Sequence, residues 1–111
     1  DLRFVETEGE ITRAHIPGWL KEVCEKTSAS EARFGEVTGY AIPVGGSDME
    51  AFLFRGWEAV ALVCVDPTIG APHHYHQPSD TPENLDVEKV LFSTDYAHRL
   101  IESIIAHRLG T

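Results

Sequence analysis

The stretch WEAVALVCV, residues 57–65, constrains the fold of this chain more than any other feature. It is almost continuously apolar and rich in valine and alanine. A strand that is polar on neither face is usually covered on both faces, as it is at the centre of an α/β sheet. We therefore expect residues 57–65 to form a central strand.

The patterns on either side of this strand alternate between the two periodicities of secondary structure. LRFVETE and RFGEVTGYAIPV favour strands, and apolar residues from Ile16 to Thr27 recur at helical spacing, with Pro17 suited to a first turn. Short and long helical patterns follow. The order strand, helix, strand, helix, strand, helix predicts a three-layer α/β unit with helices on both faces of a small sheet, forming a single domain over residues 1–111.

The GGSDME turn predicts the start of the short helix. Ser47 can be its N-cap, and Glu50 completes a Ser-x-x-Glu capping box. Asp48 has two interpretations. It either favours the helix dipole from the first turn, or it lies at the carboxyl edge of the sheet facing the histidine-rich loop, where ligands of open α/β sheets collect.

The last helix has the clearest signal in the chain. Asp86 is a candidate N-cap, and about 22 residues follow it at helical period. Its apolar positions form one stripe: Val87, Val90, Leu91, Ala97, Ile101, Ile104 and Ile105.

Charge and cysteine content exclude some classes of partner but do not indicate a compartment. Nine basic against eighteen acidic residues give a formal net charge of −9, which disfavours nucleic acid and anionic membranes as partners. No apolar run approaches the roughly 20 residues that span a bilayer. Cys24 and Cys64 lie in apolar segments without metal-type spacing, so we expect buried free thiols, with a disulfide between them as the alternative.

The histidine-rich loop, HHYHQPSDTPENLD at residues 73–86, carries the residues best suited to metal chemistry. In an extended chain His74 and His76 share a face and His73 points away. Imidazole suits zinc, and a catalytic zinc usually has three protein ligands and an open position. Asp80 could accept the N–H of a metal-bound imidazole. The alternative is a solvated polar loop.

Other catalytic patterns are absent from the sequence. It has no Gly-x-Ser-x-Gly elbow, no phosphate-binding glycine loop and no His-Glu-x-x-His motif. His15, His98 and His107 lie in or beside predicted helices. We interpret these three as surface or hydrogen-bonded histidines.

Two stretches together resemble a known family. GGSDMEAFLFRGWEAVALV followed by YHQPSDTPENLD is similar to the C-terminal part of the co-catalytic zinc aminopeptidase family. That family includes bacterial secreted aminopeptidases, glutamate carboxypeptidase, glutaminyl cyclases and the non-catalytic transferrin receptor ectodomain. The resemblance runs from Val44 to the C-terminus, and it implies that the α/β unit is part of a larger zinc-peptidase-type fold.

The resemblance assigns roles to five residues. His76 matches the last zinc-ligand histidine of the family, Tyr75 a position that lines the substrate pocket, and Asp48 an acid near the active site. Asp80 and Thr81 match an Asp-Thr pair that supports the ligand loop.

Three positions depart from the family pattern and leave the subgroup open. Met49 stands where histidine is common, Glu58 replaces a proline, and Gln77 replaces a threonine.

The family's other ligands and its general base lie in a His-x-Asp segment, a Glu-Glu pair and a further Asp, and none of these motifs occurs here. We therefore expect the C-terminal part of a zinc-dependent metallopeptidase that hydrolyses peptide bonds. It would contain no catalytic residue, be inactive alone, and bind zinc weakly or not at all, whereas the intact protein would hold two zinc ions.

Two other functions remain open at this stage. The chain could be a non-catalytic binding or interaction domain of the same fold. It could also be an unrelated α/β domain in which His73, His74 and His76 bind metal by themselves. If the sheet continues upstream, the exposed edge predicts a homodimer of this chain.

Overall fold

The computed structural model describes residues 1–9, 11–43, 45–72 and 74–110. Within these ranges the chain is an α/β domain with a small mixed four-stranded sheet and three α-helices, consistent with the predicted three-layer unit. The elements in chain order are β1 (Leu2–Glu8), β2 (Ala14–His15), α1 (Gly18–Ala29), a 3₁₀ turn (Ala32–Phe34), β3 (Thr38–Ala41), α2 (Met49–Leu53), β4 (Leu62–Cys64), a second 3₁₀ turn (Pro82–Asn84) and α3 (Val87–Arg108).

Strand β1 is the centre of the sheet. It pairs in parallel with β3, through Phe4 opposite Gly39, and antiparallel with β4, through Phe4 opposite Leu62. Strand β2 pairs antiparallel with its end. Because β3 and β4 run in opposite directions, their carboxyl ends lie at opposite ends of the sheet. The turn after β3 and the loop after β4 therefore do not share one edge.

Strand β4 is an edge strand, so the prediction of a central strand over residues 57–65 is wrong for the described chain. The amide of Val65 donates to the carbonyl of Asp1 (2.7 Å), and Arg3 lies opposite Val63. In this register Leu62 and Cys64 direct their N–H and C=O groups away from β1. No described residue bonds those groups.

Helices α1 and α3 pack against each other over a core in which the polar groups are hydrogen-bonded. The hydroxyl of Tyr96 donates to the carbonyl of Cys24 (3.0 Å) and lies 3.1 Å from the hydroxyl of Ser28. Ser28 donates in turn to the carbonyl of Val37 (2.6 Å). Burial raises the pKa of the Cys24 thiol and of the Tyr96 phenol to about 12.

Helix α3 has the predicted length of 22 residues, and its predicted cap is confirmed, since Asp86 accepts the amide of Lys89 (3.2 Å). The apolar stripe, however, does not face the core. Tyr96 and Leu100 are buried, whereas most of the stripe is exposed: Val87, Val90, Leu91, Ile101 and Ile105. Neither α3 nor any other described helix is long and apolar enough to cross a membrane.

The two cysteines differ in environment. Cys24 is a buried free thiol, as predicted. Cys64 is also free but exposed, so its predicted burial is wrong. The reason is its position on the open edge strand, where its sulfur lies 3.5 Å from the hydroxyl of Ser93.

Candidate functional site

The histidine-rich loop is a series of turns and not an extended segment. His74 (φ 62°) and His76 (φ 55°) both have left-handed backbone conformations, and they are the only described non-glycine residues with positive φ. The loop is therefore not extended at these residues, and the condition under which they would share a face is not met. His73 lies outside the described residues. L-residues adopt this conformation at a cost, and such residues are enriched at binding sites.

The two described histidines of the loop differ in what they contact. The Nδ1 atom of His74 lies 2.6 Å from the hydroxyl of Ser79, and the side chain is partly buried. His76 is exposed, and its ring lies against Tyr75 with 3.8 Å between centroids. No described residue hydrogen-bonds the imidazole of His76. Of the two, His76 is therefore the histidine that is open to a ligand.

A hydrogen-bond network internal to the loop holds this conformation. The side-chain amide of Asn84 donates to the carbonyl of Ser79 (2.7 Å) and to the hydroxyl of Thr81 (3.4 Å). Ser79 thus connects Asn84 to His74. Sequence reasoning missed Ser79 and Asn84, because single serine and asparagine residues in a polar loop carry no motif.

Asp80 and Thr81 occupy different places in this network. The Asp80 carboxylate is exposed and bonds no described residue, so the structure does not bring it to His76. Thr81 precedes the second 3₁₀ turn, and its carbonyl accepts the amide of Asn84 (3.0 Å). The pKa of Glu83 is lowered by a hydrogen bond from its own backbone amide and by the Thr81 hydroxyl. Thr81 therefore contributes to anchoring the loop.

The start of α2 differs from the predicted capping box. The Ser47 hydroxyl donates to the carboxylate of Glu8 (2.7 Å) and accepts the amide of Met49 (3.2 Å). The amide of Ser47 also donates to Glu8. The amide of Glu50 bonds the carbonyl of Ser47 (3.4 Å), but its side chain does not complete the box, and its Oε2 atom is buried without a hydrogen-bond partner among the described residues. Glu8, which is fully buried at the end of β1, therefore accepts the hydrogen bond from the Ser47 amide that the capping box assigned to Glu50.

Asp48 and the histidine-rich loop lie at opposite ends of β1. Ser47 contacts the carboxyl end of β1 through Glu8, whereas the surface around His74 is formed with Asp1 at the amino end. A strand of seven residues is roughly 20 Å long. The structure therefore does not place Asp48 facing the loop. Asp48 is exposed at the start of α2, where its charge favours the helix dipole.

An open hollow of about 750 Å³ lies between β4, the loop and α3. Its polar wall includes His74, Asp80 and Thr81, and its apolar wall includes Leu62 and Val90. Tyr75 and His76 are outside this lining. The hollow thus lies between the open edge of β4 and the exposed apolar side chains of α3.

The other three histidines are confirmed as surface or hydrogen-bonded residues. Nδ1 of His15 lies 3.1 Å from the hydroxyl of Thr7. His98 is 3.7 Å from Glu102, and His107 stacks on Trp19 at 4.8 Å between centroids. All three are exposed.

The described residues do not form a complete metal site by themselves. Across residues 1–9, 11–43, 45–72 and 74–110, no group of three or more His, Cys, Asp or Glu side chains is placed to hold a metal ion. A structural zinc needs four ligands and a catalytic zinc usually three. The described part of the histidine-rich loop offers one imidazole that no described residue bonds, that of His76, toward such a site.

Comparison with known proteins does not assign a family. No protein-family model, curated protein or solved structure matches this chain.

Proposed function

We propose that this chain is the C-terminal part of a zinc-dependent metallopeptidase of the aminopeptidase type, to which it contributes His76 as one zinc ligand. The observation that carries the proposal is the contrast between the two loop histidines. Both residues have a left-handed backbone, but His74 is partly buried and hydrogen-bonded to Ser79, whereas His76 is exposed and no described residue bonds its imidazole. This contrast supports the same histidine that the family resemblance selects.

The other roles follow from the resemblance and belong to the same proposal. Tyr75, beside His76, contacts the peptide substrate. The resemblance also assigns Asp48 to substrate binding, but Asp48 lies at the opposite end of β1 and is not part of this surface. Asp80 and Thr81 support the ligand loop, together with the Ser79–Asn84 hydrogen bond. In the intact protein His76 would hold one of two zinc ions, and that pair would supply Lewis-acid polarisation of the scissile carbonyl and an activated water. This chain alone is inactive and binds zinc weakly, because one imidazole does not complete a site.

The open side of the sheet supports the view that the fold continues. Leu62 and Cys64 present unpaired backbone groups, and α3 exposes Val90 and Ile101 along the adjoining groove. Such an edge pairs readily with another strand. The chain alone is therefore proposed to form a homodimer through β4.

Sedimentation tests this homodimer. It should detect a dimer in the unaltered chain, and Cys64→Lys should weaken that dimer, because a lysine on an edge strand opposes strand pairing. A monomer at all concentrations would contradict the proposal.

The decisive experiment concerns the coding sequence upstream of Asp1. We expect it to encode a His-x-Asp segment and a Glu-Glu pair, and the longer protein should release N-terminal residues from peptides in a zinc-dependent manner. His76→Ala should abolish this activity, whereas His74→Ala, the matched control, should reduce it far less. An upstream region without those acids would instead indicate the non-catalytic domain.

Zinc titration of the chain itself tests the third possibility. NMR of the histidine side chains should show weak binding that His76→Ala removes and His74→Ala leaves. Equal weakening by both substitutions would indicate an independent metal site in the loop.

A further inference from the structure

An aromatic and basic surface lies far from the histidine-rich loop, beside α2. Phe54 and Trp57 are 54% and 69% exposed. They line an open hollow of about 400 Å³ together with Arg13 and His15. Arg55, also exposed, lies between the two aromatic residues in the chain. We call these five residues the Trp57 patch.

The charge of the Trp57 patch is opposite to that of the whole chain. The net charge of the protein is −9, yet neither Arg13 nor Arg55 forms an ion pair with a described residue. The guanidinium of Arg13 is held by the carbonyls of Gly9 and Ile42, so its position is fixed, and no carboxylate in the described part of the chain pairs with it.

One acid borders the hollow, and it is already neutralised. Glu58 accepts hydrogen bonds from the Trp19 indole and from Arg108. Among the described residues that line the hollow, it is the only acidic one. Within that described lining, the one permanent charge without a counter-charge is therefore that of Arg13.

We propose that the Trp57 patch binds an acidic polypeptide segment that carries an apolar side chain. The apolar side chain enters the hollow between Phe54 and Trp57, and carboxylates of the segment pair with Arg55 and face the fixed charge of Arg13. Exposed tryptophan and arginine are the residues that most often dominate protein–protein interfaces. Charge-assisted hydrogen bonds from arginine to carboxylate supply orientation and specificity.

A polypeptide fits this surface better than an anionic membrane does. An anionic bilayer contacts a whole face of the protein, so the net charge of −9 of the protein repels it. A short segment senses only charges within a Debye length, about 8 Å at physiological ionic strength, and there the patch is basic. The inference does not depend on zinc or on the proposed peptidase activity.

The test is an NMR titration with a short synthetic peptide of alternating glutamate and leucine, blocked at both ends. A lysine–leucine peptide serves as the control probe. The acidic peptide should shift the indole N–H resonance of Trp57 and the amides around it, and the basic peptide should not. Trp57→Ala and Arg55→Glu should each weaken binding at least about tenfold.

The control variants are Leu109→Ala, which removes an exposed apolar side chain elsewhere, and Lys26→Glu, which reverses an exposed charge outside the patch. Both should leave the affinity within about twofold. The proposal is overturned if the two peptides bind alike, if the control variants weaken binding as much as the patch variants, or if phosphatidylserine vesicles bind and the acidic peptide does not. All the altered side chains are exposed, so loss of folding does not explain a loss of binding.

Discussion

The two sides of helix α3 differ in how completely they are packed. On one side, Tyr96 and Leu100 are buried against α1 and the sheet, and the Tyr96 hydroxyl has its hydrogen bonds. On the other side, Val90 and Ile101 face solvent beside the open edge of β4. Both sides are apolar in sequence. Apolar character along a helix therefore indicates a surface that can be buried, but not which surface this chain buries by itself.

The same contrast holds for polar groups. In the core, Ser28, Cys24 and Tyr96 share a network in which the buried groups find partners. At the edge, Leu62 and Cys64 present backbone groups that no described residue bonds. Unpaired backbone groups beside exposed apolar side chains are typical of a binding surface. Stability thus comes mainly from the packed side, and the open side is where a partner or the rest of the fold would bind.

The largest expected effect separates two neighbouring residues of α3. Leu100→Ala should lower the free energy of unfolding by about 2–5 kcal/mol, because it leaves a cavity in the core. Ile101→Ala, its matched control, removes a side chain that is 55% exposed and should cost less than about 1 kcal/mol. Urea unfolding of both variants measures the difference. Similar costs would show that Ile101 is buried in solution, as in a dimer.

The second prediction uses the raised pKa values of the packed side. Folding raises the pKa of Cys24 to about 12, above its unfolded value near 9. Below about pH 9 the thiol is neutral in both states, and its contribution is intact. Above that pH the unfolded state loses its proton first, so stability should fall by a few kcal/mol toward pH 12. Tyr96 adds to this loss from about pH 10, because its folded pKa is also about 12.

Variants of the two cysteines separate this effect from general alkaline unfolding. Cys24→Ala should flatten the pH dependence of the unfolding free energy that begins near pH 9, measured by urea titration between pH 8 and about pH 10.5. Cys64→Ala, at the exposed position, should leave the slope unchanged. Equal slopes for the wild-type protein and Cys24→Ala would contradict the assignment.

Local sequence signals predicted the elements well where neighbours in the chain decide the structure. The cap at Asp86 and the length of α3 are both confirmed, because a helix end is set by residues within one turn of it. Fold class was also predictable, since it follows from the order of apolar patterns.

Contacts between distant segments were not predictable from local patterns. The amide of Ser47 bonds the side chain of Glu8 and not that of Glu50, and nothing in either segment indicates a pairing across 39 positions. Strand direction is a second example. The antiparallel pairing of β4 with β1 separates Asp48 from the histidine-rich loop, and an apolar strand pattern carries no direction. The left-handed conformation of His76 is a third, because no glycine marks it.

The smallest expected effect concerns the open side, at His76. A residue with φ near 55° is disfavoured by its Cβ atom, and glycine removes that cost. His76→Gly should therefore be more stable than His76→Ala by up to about 1 kcal/mol. Both variants lack the imidazole, so their difference in urea unfolding isolates the backbone.

Position 75 provides the control, because Tyr75 does not have a positive φ. There glycine should be less stable than alanine by roughly 0.5–1 kcal/mol, since its unfolded chain is more flexible. If the difference in unfolding free energy between the glycine and alanine variants has opposite signs at positions 75 and 76, the loop keeps its turns in solution. The histidine at 76 would then be retained against local stability, as expected of a residue that acts through its side chain. The same sign at both positions would mean that the left-handed backbone of His76 carries no strain in solution.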